Sequence, residues 1–282
     1  MKPIFIVGAP RSGNTLFRMI LTSHSMICIP PESQFLHYLD PLFHSRSTER
    51  KEALLKKLTD DHKFADWNIG KQSLNEYIEK SLDLNFPDFI AGIYQLYLSQ
   101  VNRGNAQWGD KNPMYIFKIK RILELFPGAR IILLVREPLS IYGSLKRVNF
   151  FGRESEIAIK DYYRRITCVA EAITENKDHP GVIMVNYAGF VRNPVKNTRT
   201  LIKKLGYAFE PGMLNFHNDK EFIGEMLQSK IKFHDNLMKP ISSTFVKPDS
   251  YDLDPSEIDE IEKNLANELK IIRSFIDNNP SL

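Results

Sequence analysis

Ile4-Phe-Ile-Val7-Gly8-Ala-Pro-Arg11-Ser-Gly13-Asn-Thr15-Leu-Phe-Arg18 is the stretch that decides the fold. Four apolar, largely β-branched residues end abruptly at Gly8 and Pro10, as expected of a short strand buried on both faces. Leu16, Phe17, Met19, Ile20 and Leu21 then keep a helical stripe to about His24, so the stretch reads as strand, turn, helix. The pattern recurs further along. Ile131–Val135 is a second buried-strand run; Pro138 follows where a helix's first turn accepts proline, then Ile141, Leu145 and Val148 at helical spacing. Val182–Val185 is a third, followed by a helical stretch over Pro194–Leu205 that Gly206 closes at a C-cap position. Strands alternating with helices predict an α/β fold with a doubly wound parallel sheet.

Between these units the chain changes character. Residues 38–106 are mostly helical in pattern and rich in Lys, Asp and aromatics, which predicts a helical insertion serving as a lid or acceptor-side wall. A long amphipathic helix is expected over 153–178, and loop with short helices over 214–250. A last helix is expected over 255–277, opened by Asp254-Pro-Ser-Glu257. No inter-domain linker, repeat or low-complexity tract appears, so residues 1–282 read as one domain with insertions.

Composition narrows the functional classes. With 282 residues, 43% hydrophobic and 26% charged, the chain is long enough to bury a substantial core. A net charge of +4 is too small and too dispersed for a nucleic-acid binder, but it suits a protein holding a small polyanion. Cys28 and Cys168 give neither a disulfide framework nor a metal-binding spacing, and two thiols fit a reducing, cytoplasmic setting. The apolar run at 3–7 is too short for a signal peptide's core, and no stretch reaches the ~18 apolar residues of a membrane span. The seven histidines show no metal-ligand spacing, so no metal is expected.

The chemistry begins in the first turn. Gly8 to Thr15 has the spacing G-x4-G-x-T, close to the phosphate-cradling Walker loop, in which backbone N–H groups and a helix N-terminus face an anion. Asn14 stands where the Walker lysine would be, and the positive charge moves to Arg11. Arg136 sits at the carboxyl end of the second strand, on the edge where doubly wound sheets bind ligands, and its planar fork suits a phosphate. Glu32, held on a stiff extended segment by Pro30 and Pro31, fits a general base beside a basic loop; a solvated surface carboxylate fits the same residues.

Together these motifs resemble sulfotransferases that use 3′-phosphoadenosine 5′-phosphosulfate (PAPS). The form Pro-Arg-Ser-Gly-x-Thr-Leu is most similar to tyrosylprotein sulfotransferases and related bacterial enzymes. The resemblance implies that Arg11, Ser12, Gly13, Asn14, Thr15 and Leu16 hold the 5′-phosphosulfate, with Arg11 also catalytic. It implies that Arg136, with Ser144 eight residues later, holds the 3′-phosphate. Glu32, 21 residues after Arg11, takes the place of the family's general base. Trp108-Gly-Asp-Lys-Asn-Pro113 is similar to the family's Asp-Lys-Thr-Pro segment, with Asn112 for Thr, and Lys111 would reach the transferring group or leaving oxygen. Tyr187 and Lys247 resemble further donor contacts, the latter in a tail block with His234–Ile241. The implied donor is PAPS, its product 3′,5′-adenosine bisphosphate (PAP), and the acceptor a hydroxyl of a glycan, lipid, tyrosine or small molecule; a homodimer is among the expected assemblies. Two other readings stay open: a P-loop kinase with a degenerate Walker loop, and a non-catalytic nucleotide-binding regulator.

Overall fold

The computed structural model describes residues 2–44, 49–148, 155–219, 235–243, 246 and 253–282. Five strands form one sheet in the order β2-β3-β1-β4-β5, every pair parallel: β1 (Ile4–Val7), β2 (Ile27–Cys28), β3 (Gln107–Lys111), β4 (Arg130–Val135) and β5 (Val182–Asn186). The chain winds from β1 to one side through β2 and β3, then crosses back to the other through β4 and β5. Ile4 lies opposite both Gly109 and Arg130, and Val135 opposite Asn186.

Both faces of the sheet are covered, which explains the unbroken apolar runs. Phe5, Val7, Ile131, Leu133 and Val135 join one core, packed by α2 (Phe35–Phe43), α5 (Phe86–Gln100) and α8 (Ser155–Asn176) among others. Ile4, Ile6, Ile132, Leu134 and Val185 join the other, packed by α1 (Asn14–Thr22), α9 (Tyr187–Arg192) and α10 (Pro194–Leu205). Gly206 closes α10 at φ 91°, the left-handed cap its position predicts.

Two strands were not legible as strands. Ile27–Cys28 is too short to show a period, and Gln107–Lys111 (Gln-Trp-Gly-Asp-Lys) has neither alternation nor an apolar run. The sheet interior imposes β3: a Cβ on Gly109 would lie 2.6 Å from the Ile4 carbonyl oxygen, so glycine lets β3 approach β1. Between β2 and β3 the chain is helical: α2, α3 (Arg50–Asp60), a 3-10 turn at Phe64–Trp67, α4 (Lys71–Ser81) and α5. After β3 come a 3-10 turn (Pro113–Phe117), α6 (Ile119–Leu125) and, beyond β4, α7 (Pro138–Arg147). The final helical region is two helices rather than one. α11 (Pro255–Asn264), opened by a capping box at Asp254 and Glu257, and α12 (Ala266–Asn278) meet at Leu265. Among the described residues, no helix is long and apolar enough to cross a membrane.

Candidate active site

All five strands deliver a residue of interest at their carboxyl ends, the edge where open α/β sheets bind ligands. The 8–13 loop follows β1, Glu32 follows β2, Lys111 ends β3, Arg136 follows β4 and Tyr187 follows β5. The register pairs Lys111 with Ile6, beside the strand that enters the loop.

The loop is held in an unusual backbone. Arg11 has φ 69° and Gly13 has φ 98°, both left-handed. Gly13 is the N-cap of α1, whose first turn has neither a side-chain cap nor an acidic residue, leaving the helix's partial positive charge for an anion. Asn14 explains the missing Walker lysine: its Nδ2 donates to the Ala9 carbonyl at 2.9 Å and staples the loop. The Ser12 Oγ and Asn14 Oδ1 are buried without a hydrogen-bond partner, the kind of orphan a bound polar group satisfies. Thr15 is half-buried, and Leu16 is buried in the core beneath.

Arginines gather over this loop. Arg11 Nε donates to Ser144 Oγ at 3.0 Å, and Arg136 Nη1 donates to the Arg11 carbonyl at 2.7 Å. The Arg136 guanidinium lies 4.8 Å from the centre of the Tyr187 ring. Tyr187 in turn packs on Gly13, where a Cβ would come within 2.6 Å of its ring carbons. Burial, then Arg136 and Arg147, holds the Arg11 guanidinium below its ordinary value. Arg147 was not anticipated. It sits three residues beyond Ser144 on α7, so helical spacing could have found it. Glu137, the carboxylate next to Arg136, accepts from the Ser140 N–H at 2.8 Å and pairs with Arg273 at 3.1 Å.

Glu32 is no solvated surface carboxylate. Its side chain is 16% exposed and is gripped by two ammonium groups, Lys111 on Oε2 and Lys63 on Oε1. Burial acts to raise its pKa, but Lys111 and Lys63 outweigh it and hold the carboxyl well below the usual range. Lys63 comes from the helical region between β2 and β3, and no local pattern in the sequence marks it. Behind the pair, Asp110 is fully buried and accepts from the hydroxyls of Tyr94 and Tyr115. Burial pushes Asp110 up to about 6, against both tyrosine bonds and Lys111. Asn112 caps the following turn through Met114 N at 2.8 Å and donates to the Ser33 carbonyl at 2.6 Å, tying β3 to the Glu32 segment.

Other buried aromatic side chains and His24 are structural. Phe89, Tyr94 and Tyr97 are core. His24 is buried, with Nε2 2.9 Å from the Ala208 carbonyl and Nδ1 accepting from Met26 N. Lys247 and His234 lie outside the described residues.

Comparison with known proteins identifies the fold and the family. The chain is 27% identical over 228 residues to an uncharacterized protein of Aquifex aeolicus, covering 78% of this chain and 27% of that protein. It is 28% identical over 170 residues to the nodulation protein NoeE of Sinorhizobium fredii, covering 60% and 36%. The chain thus spans only about a quarter to a third of these relatives. Its fold is that of the sulfotransferase domain from the Synechococcus PCC 7002 olefin synthase, with a TM-score of 0.63, 20% identity, and 98% and 94% coverage. The sulfotransferase domain from the curacin biosynthetic pathway is similar too, with a TM-score of 0.58, 22% identity, and 98% and 97% coverage. Residues 3–211, from the first strand past the last, match the model of one family, and the chain belongs to it: the sulfotransferase family.

Proposed function

We propose that the chain transfers a sulfuryl group from PAPS to an acceptor hydroxyl. The observation that carries this is the juxtaposition, on one sheet edge, of a lysine-clamped carboxylate with an arginine-lined anion cradle whose Ser12 and Asn14 oxygens are unsatisfied. That donor set fits a bisphosphorylated nucleotide: the loop amides, Ser12, Thr15 and Arg11 for the 5′-phosphosulfate, and Arg136, Ser144 and Tyr187 for the 3′-phosphate end. The bound donor supplies an activated sulfuryl group with a phosphate as leaving group. Glu32 accepts the proton of the acceptor hydroxyl at a carboxylate oxygen. Arg11 and Lys111 stabilise the negative charge that develops on the sulfuryl and leaving oxygens. A role for Lys247 rests on the resemblance alone. The helices between β2 and β3 form the acceptor-side wall, and the acceptor class is a glycan, lipid, tyrosine or small alcohol. The thiols of Cys28 and Cys168 suit a cytoplasmic setting.

Asn14 argues against the kinase reading, because its amide is spent on stapling the loop and supplies no cation for a triphosphate. Glu32 argues against the regulator reading, since holding a nucleotide gives no use for a buried carboxylate clamped by two lysines. Calorimetry tests the proposal: PAP binds more tightly than ATP with magnesium, and labelled PAPS transfers its sulfur to a component of a fractionated cell extract. Preference for ATP with magnesium would move the assignment to a kinase.

A further inference from the structure

Lys63 has no place in the motif-based account of the site, yet its position is fixed from several sides. Asp61 caps the turn that carries it: Asp61 Oδ1 accepts from the N–H groups of Lys63 at 2.9 Å and Phe64 at 3.2 Å. The same turn holds the Glu32 segment on both sides of Glu32. Before it, Trp67 Nε1 donates to the Pro31 carbonyl at 2.8 Å; after it, Gln34 N donates to Asp61 Oδ2 at 3.1 Å. Tyr38 adds a hydroxyl bond to that oxygen at 2.8 Å. Phe64 and Trp67 are buried against Phe35, with ring centres 5.5 and 5.4 Å away. A flexible surface lysine that met a carboxylate by chance would have no such scaffold, and an isolated pair of that kind contributes little.

Resting on the reading of Glu32 as the base, we propose that Lys63 is a positioning residue that fixes the orientation of the Glu32 carboxylate and sets its proton affinity. With one oxygen held by Lys111 and the other by Lys63, the carboxylate plane is set, and each oxygen keeps a further lone-pair direction for an acceptor hydroxyl. The helical region between β2 and β3 thereby contributes to the chemistry as well as to the wall. Other groups act on Glu32 from further elements. Arg18 of α1 and the Tyr115 hydroxyl sense its charge, while burial, then Lys118 and Lys63, lower the pKa of His37 of α2. Among the described residues, Lys111 and Lys63 are the cations in direct contact.

The test follows the carboxylate itself. In donor-free protein labelled with 13C at the glutamate carboxyls, the Glu32 signal is assigned by its absence in Glu32→Gln. Lys63→Met, or the hydrogen-bonding Lys63→Gln where Met folds poorly, should raise the Glu32 titration midpoint by about 1–3 pH units, the usual influence of one adjacent opposite charge. Lys63→Arg should restore the low midpoint. A midpoint unmoved in both neutral variants would overturn the inference, leaving Lys111 alone in control. So would a loss of PAP affinity as large as that of an Arg136 variant, which would make Lys63 a donor ligand. Failure here is separable from failure of the proposed function: the first leaves transfer dependent on Glu32, and the second leaves transfer intact in Glu32→Gln.

Discussion

The two halves of the site are built in contrasting ways. The proposed donor half is nearly continuous in sequence: Arg11 to Leu16 is one turn of chain, and Arg136 and Ser144 bracket one strand-to-helix junction. The groups it offers to an anion are backbone amides, a helix terminus and arginines that brace one another. The proposed base half is assembled from three distant segments, Glu32, Lys63 and Lys111, with Glu32 31 residues from one lysine and 79 from the other. An anion cradle made of backbone has to be written as a local motif. A carboxylate whose proton affinity depends on its neighbours can take them from anywhere in the fold.

The largest expected effect breaks the base half alone. Glu32→Gln should lower turnover by roughly 10²–10⁴, the usual worth of general base catalysis, while PAP affinity changes little. Stability should fall as well, because Lys63 and Lys111 lose their carboxylate in a poorly solvated place. The rate is therefore measured by single turnover on enzyme saturated with donor. Near-full turnover would place the base elsewhere, and His37, close to Tyr115 and Lys63, would be the next residue to change.

Breaking the donor half should give the opposite profile. Arg136→Ala removes a charged fork, and charged hydrogen bonds contribute roughly 1.5–3 kcal/mol, so PAP should bind about tenfold to more than a hundredfold more weakly. A nucleotide lacking the 3′-phosphate should lose less. Equal losses for both ligands would assign Arg136 to bracing the Arg11 carbonyl rather than to the 3′-phosphate.

A smaller effect sharpens the claim that the cradle is backbone-built. Gly13→Ala places a methyl group against the Tyr187 ring, where an ideal Cβ lies 2.6 Å away, and imposes φ 98° on an L-residue. Such strain costs about 1–3 kcal/mol. Melting temperature should fall, and PAP should recover only part of it, since Tyr187 must shift from beneath Arg136. An unchanged melting temperature would mean that the loop relaxes freely.

The same contrast accounts for what the sequence disclosed. Strands β1, β4 and β5 and the loop between β1 and α1 were legible because buried parallel strands and glycine turns leave local signatures. β3 was not, because Trp108, Asp110 and Lys111 sit in a strand for reasons of tertiary position: stacking on Tyr94, hydrogen bonds from two tyrosines, and contact with Glu32. Lys111 was still singled out, from a motif and without its strand. Arg147 lay within reach of helical spacing. Lys63 did not, since its partner is fixed by the packing of Phe64 and Trp67 on Phe35.

The subtlest expected effect contrasts two carboxylates of the base half itself. Glu32 has a folded-state pKa below its ordinary value near 4.5, so its contribution to stability is complete above that value and is lost as pH falls further. Asp110 is the reverse. Burial pushes it up to about 6 from 3.8, so its contribution is complete below 3.8 and is lost as pH rises through 6. The windows therefore meet near 4.5, with Asp110 acting between about 4 and 6 and Glu32 below about 4.5. Denaturant unfolding across pH, comparing wild type with Asp110→Asn, should show a stability difference that grows as pH falls from 6 to 4. Its slope should be at most about 1.4 kcal/mol per pH unit for a single proton. Asparagine keeps an acceptor for the Tyr94 and Tyr115 hydroxyls, so the variant removes the titration more than the packing. Wild type against Glu32→Gln should be flat from pH 6 to about 5 and converge in stronger acid. A flat Asp110 comparison would mean that the tyrosine bonds and Lys111 overcome burial and keep that carboxylate charged, making the two acids alike.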